Sequence, residues 1–417
     1  MNKNQSYPAF RWFVLLAIAA ATIAQSVVMI APAPLVGAIS HDLGITPGAA
    51  TAMVMATWNI VAVVSSLLAG FLVDRYGANA MMITGCILLI VPTLLFPFAG
   101  TSVGMVLFLR ICHAFGCGPV MGTVAKLAHT WFLPKERGFV AGIQALTVSV
   151  GVAIGFITAP AAFVQTQNWL TVMPRMTVTP IIALVLWVVV LFGPKAPEEE
   201  HEILGAGDQS EFKSVLAMPI TWLIIFAGFT ASWFFSAFND MTPGFLALNA
   251  PMGLGLGPVA AGKLMTLFQV AFMVGALAVG FLFEKLFRQS ARITLFVGLL
   301  MMGVFTASLL SPAISGAKGP LSTVLFCTGF FAAWGMPTSV AFISLHYPAR
   351  VIGRLTGLFF ALAFSGGIPA ILLGSLALHH TGRYVVSFCI AIAVVVIGAL
   401  VSLFLKRPTF AARKVTA

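Results

Sequence analysis

The chain has 417 residues, of which 60% are hydrophobic and only 8% charged, with a mean hydropathy of +1.05. A soluble globular domain carries roughly 25% charge, so a water-soluble fold is excluded. The net charge of +11 invites a nucleic-acid partner, but the placement of the cations along the chain argues against one, as set out below.

Crossing a bilayer takes about 20 mainly apolar residues per helix. Runs of that kind fall at 11–39, 48–73, 79–99, 102–131, 138–163 and 170–193. They resume at 216–248, 258–283, 291–312, 319–346, 351–378 and 382–405. A β-barrel would alternate polarity over segments of about 10 residues, and these runs are longer and unbroken. The first follows Lys3 and Arg11 but extends to Ser40, well beyond the about 7 to 15 apolar residues of a signal peptide, so it reads as a retained helix. Cys86, Cys112, Cys117, Cys327 and Cys389 all lie inside apolar runs without metal-ligand spacing, and no metal or cofactor is expected.

Loops counted alternately from the N-terminus divide the cations unevenly. One side collects Arg75, Lys135, Arg137, Lys195, Lys213, Lys285, Arg288, Arg292, Arg350 and Arg354 with both termini, whereas the other has Lys318 as its clear loop cation, with Arg175, Lys263 and Arg383 near helix ends. This positive-inside asymmetry places both termini in the cytoplasm. The basic charge therefore reports topology, and no nucleic-acid partner is implied.

The polar stretch 194–215, with Glu198-Glu199-Glu200-His201-Glu202, falls near the middle of the chain. It reads as a solvated cytoplasmic linker between 1–193 and 216–417, each with six helices. Repetition supports the partition. Gly70-Phe-Leu-Val-Asp74-Arg75-Tyr-Gly77 is matched 210 residues later by Gly280-Phe-Leu-Phe-Glu284-Lys285-Leu-Phe. The basic turn at 134–142 is likewise echoed at 348–357. Duplicated bundles with a site at their interface are a transporter architecture.

With twelve helices, two halves, a central loop and the Gly70–Gly77 motif, the chain resembles the major facilitator superfamily over essentially its whole length. The resemblance implies an all-α integral membrane fold of two pseudo-symmetric six-helix bundles and transport by alternating access. It also implies a gating role for Asp74, which in this family typically bonds across the halves near the start of helix 11, with Arg75, Gly70 and Gly77 beside it. Glu284 and Lys285 hold the repeated position. The basic residues that often follow the second glycine are replaced by Ala78-Asn79-Ala80, so the latch is expected to be weaker or differently paired.

Ionisable residues inside a membrane are costly and point to function. Helix 4 carries Arg110 and His113, with Lys126 and His129 near its cytoplasmic end. A start near Ser102 puts Arg110 roughly 12 Å below the outer boundary, close to the midplane. Arg110 resembles the arginine frequent in the fourth helix of the superfamily. A guanidinium stays charged and grips a carboxylate bidentately, which favours an anionic substrate; the alternative is that it bonds backbone carbonyls to organise the bundle. His113 is a candidate proton carrier or a hydrogen-bonded core residue. Asn59 and Gln269, again 210 residues apart, are expected to face each other across the pseudo-twofold axis. Gln25, Gln144 and Trp334 are further candidates for the cavity wall, interhelical bonding being the alternative for the buried amides. Asp240 is expected at an extracellular gate near the outer end of helix 7, with proton coupling as its second role, and Pro243 is expected to break that helix.

The helix-5 motif Gly-Pro-x-x-Gly-Gly of drug/proton antiporters, the Gly- and Asn-rich nitrate-transporter signature and the richer loops of sugar porters are not found. The resulting expectation is a monomeric bacterial inner-membrane carrier that takes up a small, carboxylate-type organic anion, with a proton as candidate coupling ion and the lipid bilayer as its surroundings. An exporter of amphiphilic compounds is the alternative. An integral-membrane enzyme is a remote one, since no nucleophile with its base and no phosphate-binding loop is present.

Overall fold

A computed structural model describes residues 9–133, 136–194 and 207–408. Twelve of its helices are long and apolar enough to cross a membrane. They are α1 (Arg11–Asp42), α2 (Pro47–Val73), α3 (Ala78–Ala99), α4 (Val103–Trp131), α5 (Phe139–Thr166) and α6 (Trp169–Phe192) in the first half. The second half holds α7 (Pro219–Ala247), α8 (Gly257–Leu286), α9 (Ala291–Ser308), α10 (Lys318–His346), α11 (Arg354–Thr381) and α12 (Tyr384–Ser402). No strand occurs among the described residues.

The spans exist because long apolar runs leave the backbone no partner in lipid but itself, and local signals end them. Ser102 starts α4 by accepting a hydrogen bond from Met105 N at 3.3 Å, and Thr46 starts α2 by accepting one from Ala49 N at 3.2 Å. Gly77 closes the α2–α3 turn at φ 82°, a conformation disfavoured for residues with a Cβ. Large apolar side chains such as Phe71, Phe98 and Phe192 stay exposed on the outside, as a lipid-facing belt requires.

Duplication is visible in the packing. In the first half α1 packs on α5 and α6, α2 on α4, and α3 on α4 and α6. In the second half α7 packs on α11 and α12, α8 on α10, and α9 on α10 and α12. Each contact thus recurs six helices later. Across the halves α5 meets α8 and α2 meets α11, a pair of contacts that the same pseudo-twofold relates.

Several spans are not the uniform helices the apolar runs imply: short turns split α4 at Gly116, α6 at Met176, α10 at Ala333 and α11 at Ser365, and further spans carry other irregularities. α1 is interrupted by a 3-10 turn at Ala33–Leu35, because Pro32 and Pro34 cannot donate to the carbonyls one turn back. α2 contains a π-helical turn at Ala52–Ala56, and α8 ends in another at Leu282–Leu286. One expected break does not occur: α7 runs on past Pro243 to Ala247. Proline removes one ladder bond there without ending the helix.

α1 begins and α12 ends at the same end of the bundle, here called the terminal end; the opposite end is the far end. At the far end the halves are in close contact. Thr46 Oγ1 of α2 hydrogen bonds His379 Nδ1 of α11 at 2.8 Å. A Cβ on Gly48 would lie 2.6 Å from His379 N and 2.7 Å from Ser375 O, so these backbones touch. Gly262 of α8 abuts the Phe156 carbonyl of α5, which Pro160 leaves without its usual helical donor. Thr266 Oγ1 adds a bond to Ala153 O at 3.3 Å. At the terminal end the picture reverses: a Cβ on Gly70, Gly142, Gly280 or Gly357 would meet no atom within 4 Å. The main apolar core joins both halves, while terminal-end residues of the second half, such as Val215, Phe342, Leu355 and Phe359, form a separate cluster. The conformation is one sealed at the far end.

Candidate substrate and gating site

The centre of the molecule is organised by Arg110. Its side chain is fully buried, and three of its nitrogens donate to main-chain carbonyls. Nε reaches Val54 O at 2.6 Å, Nη1 reaches Val28 O at 3.0 Å and Nη2 reaches Met29 O at 2.5 Å. Local backbone explains these partners. The Val28 carbonyl would be bonded by the N–H of residue 32 in a continuous helix, and residue 32 is proline. Val54 sits in the π-helical turn of α2, where Thr57 N bonds Ala52 O, five residues back. Arg110 therefore ties the irregular points of α1 and α2 together. Its guanidinium also lies over the Trp58 ring, 4.6 Å from the centroid, a cation–π contact strengthened by burial.

From the other half, Asp240 of α7 is buried. It lies about two helical turns before the end of α7 at Ala247. Asn239, next to Asp240, donates from Nδ2 to Phe235 O at 2.8 Å and accepts from Gln269 Nε2 of α8. A buried amide pair thus links Asn239 of α7 to Gln269 of α8.

Other candidates have separate surroundings. His113 is buried one turn beyond Arg110, bonded through Nε2 to Thr93 of α3 and stacked on Phe96 at 5.4 Å. Asn59 donates to Met55 O at 3.0 Å, and its Oδ1 lies near Gly367 of α11, close to Ser236 of α7. It and Gln269 therefore engage different neighbours. Gln25 is buried in α1 with Nε2 4.0 Å from Met29 Sδ, and Gln144 of α5 reaches Met121 Sδ at 3.8 Å. The carbonyl oxygens of Gln25 and Gln269 are buried without a protein partner. Trp334 is packed among Phe287, Phe330 and Phe331 and against Gly298 of α9, inside the second bundle.

Of the gating residues, Gly70 faces open space and the exposed Arg75 lies over the Tyr76 ring at 5.4 Å. Glu284 and Lys285 are exposed on the π-helical turn that ends α8. The Asp74 side chain lies outside the described residues, as do those of Arg350 and Gly353 near the start of α11. Beside Asp74, Lys126 Nζ reaches Val73 O at 3.5 Å. Arg11 pairs with Glu136 at 3.2 Å, joining the start of α1 to the α4–α5 turn. Two surface grooves of about 410 and 380 Å³ lie beside α2, one lined by Ile45, Ala56 and Leu372 and the other by Leu72, Met81 and Phe115; neither contains Arg110 or Asp240.

Sequence reasoning missed Trp58, Thr93, Asn239 and the Thr46–His379 contact. Pro32 and Pro34 were a usable signal for the carbonyls that Arg110 binds. The far-end bond had none, since it depends on how α2 and α11 meet.

Comparison with known proteins places this architecture. A family model described as Major Facilitator Superfamily matches residues 14–370 and, in a second match, 252–417. The chain is 23% identical to the probable nitrate/nitrite transporter NarK2 of Mycobacterium tuberculosis, over 88% of this chain and 89% of that protein. It is 27% identical to the sialic acid transporter NanX of Escherichia coli, over 85% and 84% respectively. It is 24% identical to the probable sulfoacetate transporter SauU of Cupriavidus necator, over 82% and 81%. Among solved structures, that of a D-xylose-proton symporter superposes with a TM-score of 0.73 at 14% identity, covering 95% of this chain and 98% of that one. The chain belongs to the major facilitator superfamily: it is a multi-pass membrane transporter of two pseudo-symmetric six-helix bundles, and not an enzyme.

Proposed function

We propose that the protein takes up a small organic anion by alternating access. Residues 1–193 and 216–417 act as the moving lobes, 194–215 is their cytoplasmic linker, and Arg110 is the anion's anchor. The observation that carries this reading is the bonding of Arg110: its three hydrogen bonds go to neutral carbonyls, leaving its charge and two of its five N–H groups for another partner. An uncompensated guanidinium at that depth would be costly, and a substrate carboxylate, sulfonate or nitrate oxygen offsets the cost. The relatives above are named for nitrate or nitrite, sulfoacetate and sialic acid, all anions at neutral pH. The cation asymmetry supports a cytoplasmic terminal end in a bacterial inner membrane, which makes the present conformation inward-facing. The protein works as a monomer in this reading, and Asp74 and Arg75 latch the terminal end when it closes.

Purified protein screened by thermal shift against nitrate, sulfoacetate, glucuronate, sialate and a set of neutral amphiphiles tests the proposal. A ligand at a hundredfold excess over its Kd stabilises by about 2.7 kcal/mol. At least one anion is expected to stabilise the protein and to drive counterflow in proteoliposomes, with both effects lost in Arg110→Lys, which keeps the charge but not the fork. Stabilisation by neutral amphiphiles that survives this substitution overturns the anion reading in favour of an exporter of such compounds.

A further inference from the structure

We propose that the transported anion also carries hydroxyl groups, and that Gln25 and His113 select it by accepting hydrogen bonds from them beside Arg110. The inference rests on the anion reading above and deepens it by naming the substrate class, a hydroxylated carboxylate of the sugar-acid kind.

Two buried acceptors carry it, and the bonding around each fixes which atom is left over. Thr93 Oγ1 has one hydrogen, which it donates to Leu89 O at 2.5 Å. In its contact with His113 Nε2 the hydroxyl is therefore the acceptor, so the His113 ring carries its proton on Nε2. In the neutral ring Nδ1 is then a bare lone pair, buried and without a protein partner. Gln25 turns Nε2 toward the thioether of Met29 at 4.0 Å, which sets a donor against a weak acceptor and fixes the sense of the amide. Its Oε1 is left buried and without a protein partner. A buried acceptor with no donor is unfavourable, so each atom marks a place for a donor that the protein does not supply.

Both acceptors are tied to the guanidinium. Arg110 Nη2 bonds Met29 O, and the Met29 side chain is the one Gln25 reaches. The guanidinium lies over Trp58, whose ring also neighbours His113 at 6.4 Å between centroids. They also stand on the same side of it. α1 starts at the terminal end, and Gln25 is one turn nearer that end than Met29; α4 runs the opposite way, and His113 is one turn nearer the terminal end than Arg110. One turn is about 5.4 Å. With the far end sealed, this is the side from which a substrate arrives. An anion seated on the two free N–H groups of Arg110 thus extends past two atoms that only a donor satisfies. Nitrate or a plain carboxylate leaves both unpaired. An ammonium group would donate, but one turn from a fixed positive charge it would be repelled. A hydroxyl donates without that penalty.

The test is titration calorimetry on the full-length protein with matched ligands. Glucuronate is compared with tetrahydropyran-2-carboxylate, which has the ring and carboxylate but no hydroxyls, and gluconate with hexanoate. Wild-type protein is expected to bind the hydroxylated member of at least one pair about a hundredfold more tightly, each acceptor contributing about tenfold. Gln25→Leu and His113→Gln are each expected to reduce that ratio about tenfold; the second keeps an amide able to donate to Thr93 while removing the δ nitrogen. The ratio is the readout because a merely structural defect weakens both members of a pair alike. Equal affinities within both pairs in the wild type, or nitrate or sulfoacetate binding as tightly as glucuronate, overturns the proposal and leaves the anion reading standing. A ratio unchanged in both variants overturns it as well. Binding of glucose but of no anion overturns the anion reading instead, while keeping the assignment of the two acceptors.

Discussion

Arg110 joins two demands that ordinarily conflict: it stabilises the backbone irregularities of α1 and α2, and it keeps a positive charge at the centre of the carrier. Substitutions separate the two roles. Arg110→Ala leaves three buried carbonyls short of donors and is expected to cost about 3 kcal/mol or more of stability; thermal unfolding in detergent measures it. Arg110→Lys keeps the charge and is expected to recover most of that loss while still failing to bind anion. At this scale the sequence was only partly legible. The depth of Arg110 followed from a rise per residue counted from Ser102, where α4 does begin. Its carbonyl partners depended on two other helices being irregular at the same level, which no local pattern around residue 110 encodes. Trp334 had the apolar bulk of a cavity residue, but helix rotation turned it into the aromatic cluster of the second bundle.

Helices here are shaped as much by where their ladders fail as by where they hold. Pro32 frees the carbonyl that Arg110 needs, Pro160 frees the one against which Gly262 packs, and Gly118 lets α4 close on α2. A Cβ on Gly118 would collide with backbone and hydroxyl atoms of Ser65, and that hydroxyl is bonded to Phe115 O at 2.6 Å. Gly118→Ala is therefore expected to cost about 1–3 kcal/mol by overpacking, read as a lowered Tm, whereas Gly104→Ala, which faces open space in the same helix, should be neutral. Span positions were legible because about 20 apolar residues have few alternatives to a membrane helix. Internal breaks were less so: a proline inside a long run ends the helix at residue 32 but not at residue 243.

Over the whole molecule, the far-end seal is small and specific, so it offers a direct check on the rocking motion. With the native cysteines replaced, the double substitution Thr46→Cys/His379→Cys is expected to cross-link readily, since the native side chains are in hydrogen-bond contact. The cross-link should abolish transport and a reductant should restore it. Transport that persists at full cross-linking would mean that these helices never part. A bulky residue at Gly48 acts from the other direction: it meets main chain rather than a side chain that can yield. Gly48→Leu should therefore populate a far-end-open form. Combined with His379→Cys alone, it should speed modification of the introduced thiol by a membrane-impermeant reagent. The two-bundle plan was legible from the polar stretch 194–215 and the repeated segments at Gly70 and Gly280, because duplication preserves spacing even where residues diverge. Which end is shut was not, because a rocking carrier has one sequence and more than one arrangement.

The π-helical turn at Ala52–Ala56 has an implication for how such a closure evolves. One surplus residue in a helix turns everything above it by about 100° relative to everything below. Thr46 and Gly48 are above that insertion, while Asn59 and the Gly70 segment are below it. Excising a single residue from the turn should swing the first pair away from α11 while leaving the lower stretch of α2 aligned with its repeat in α8. An ancestral carrier could thus have re-aimed its far-end lock by one codon, without disturbing the terminal-end half that duplication had made symmetric.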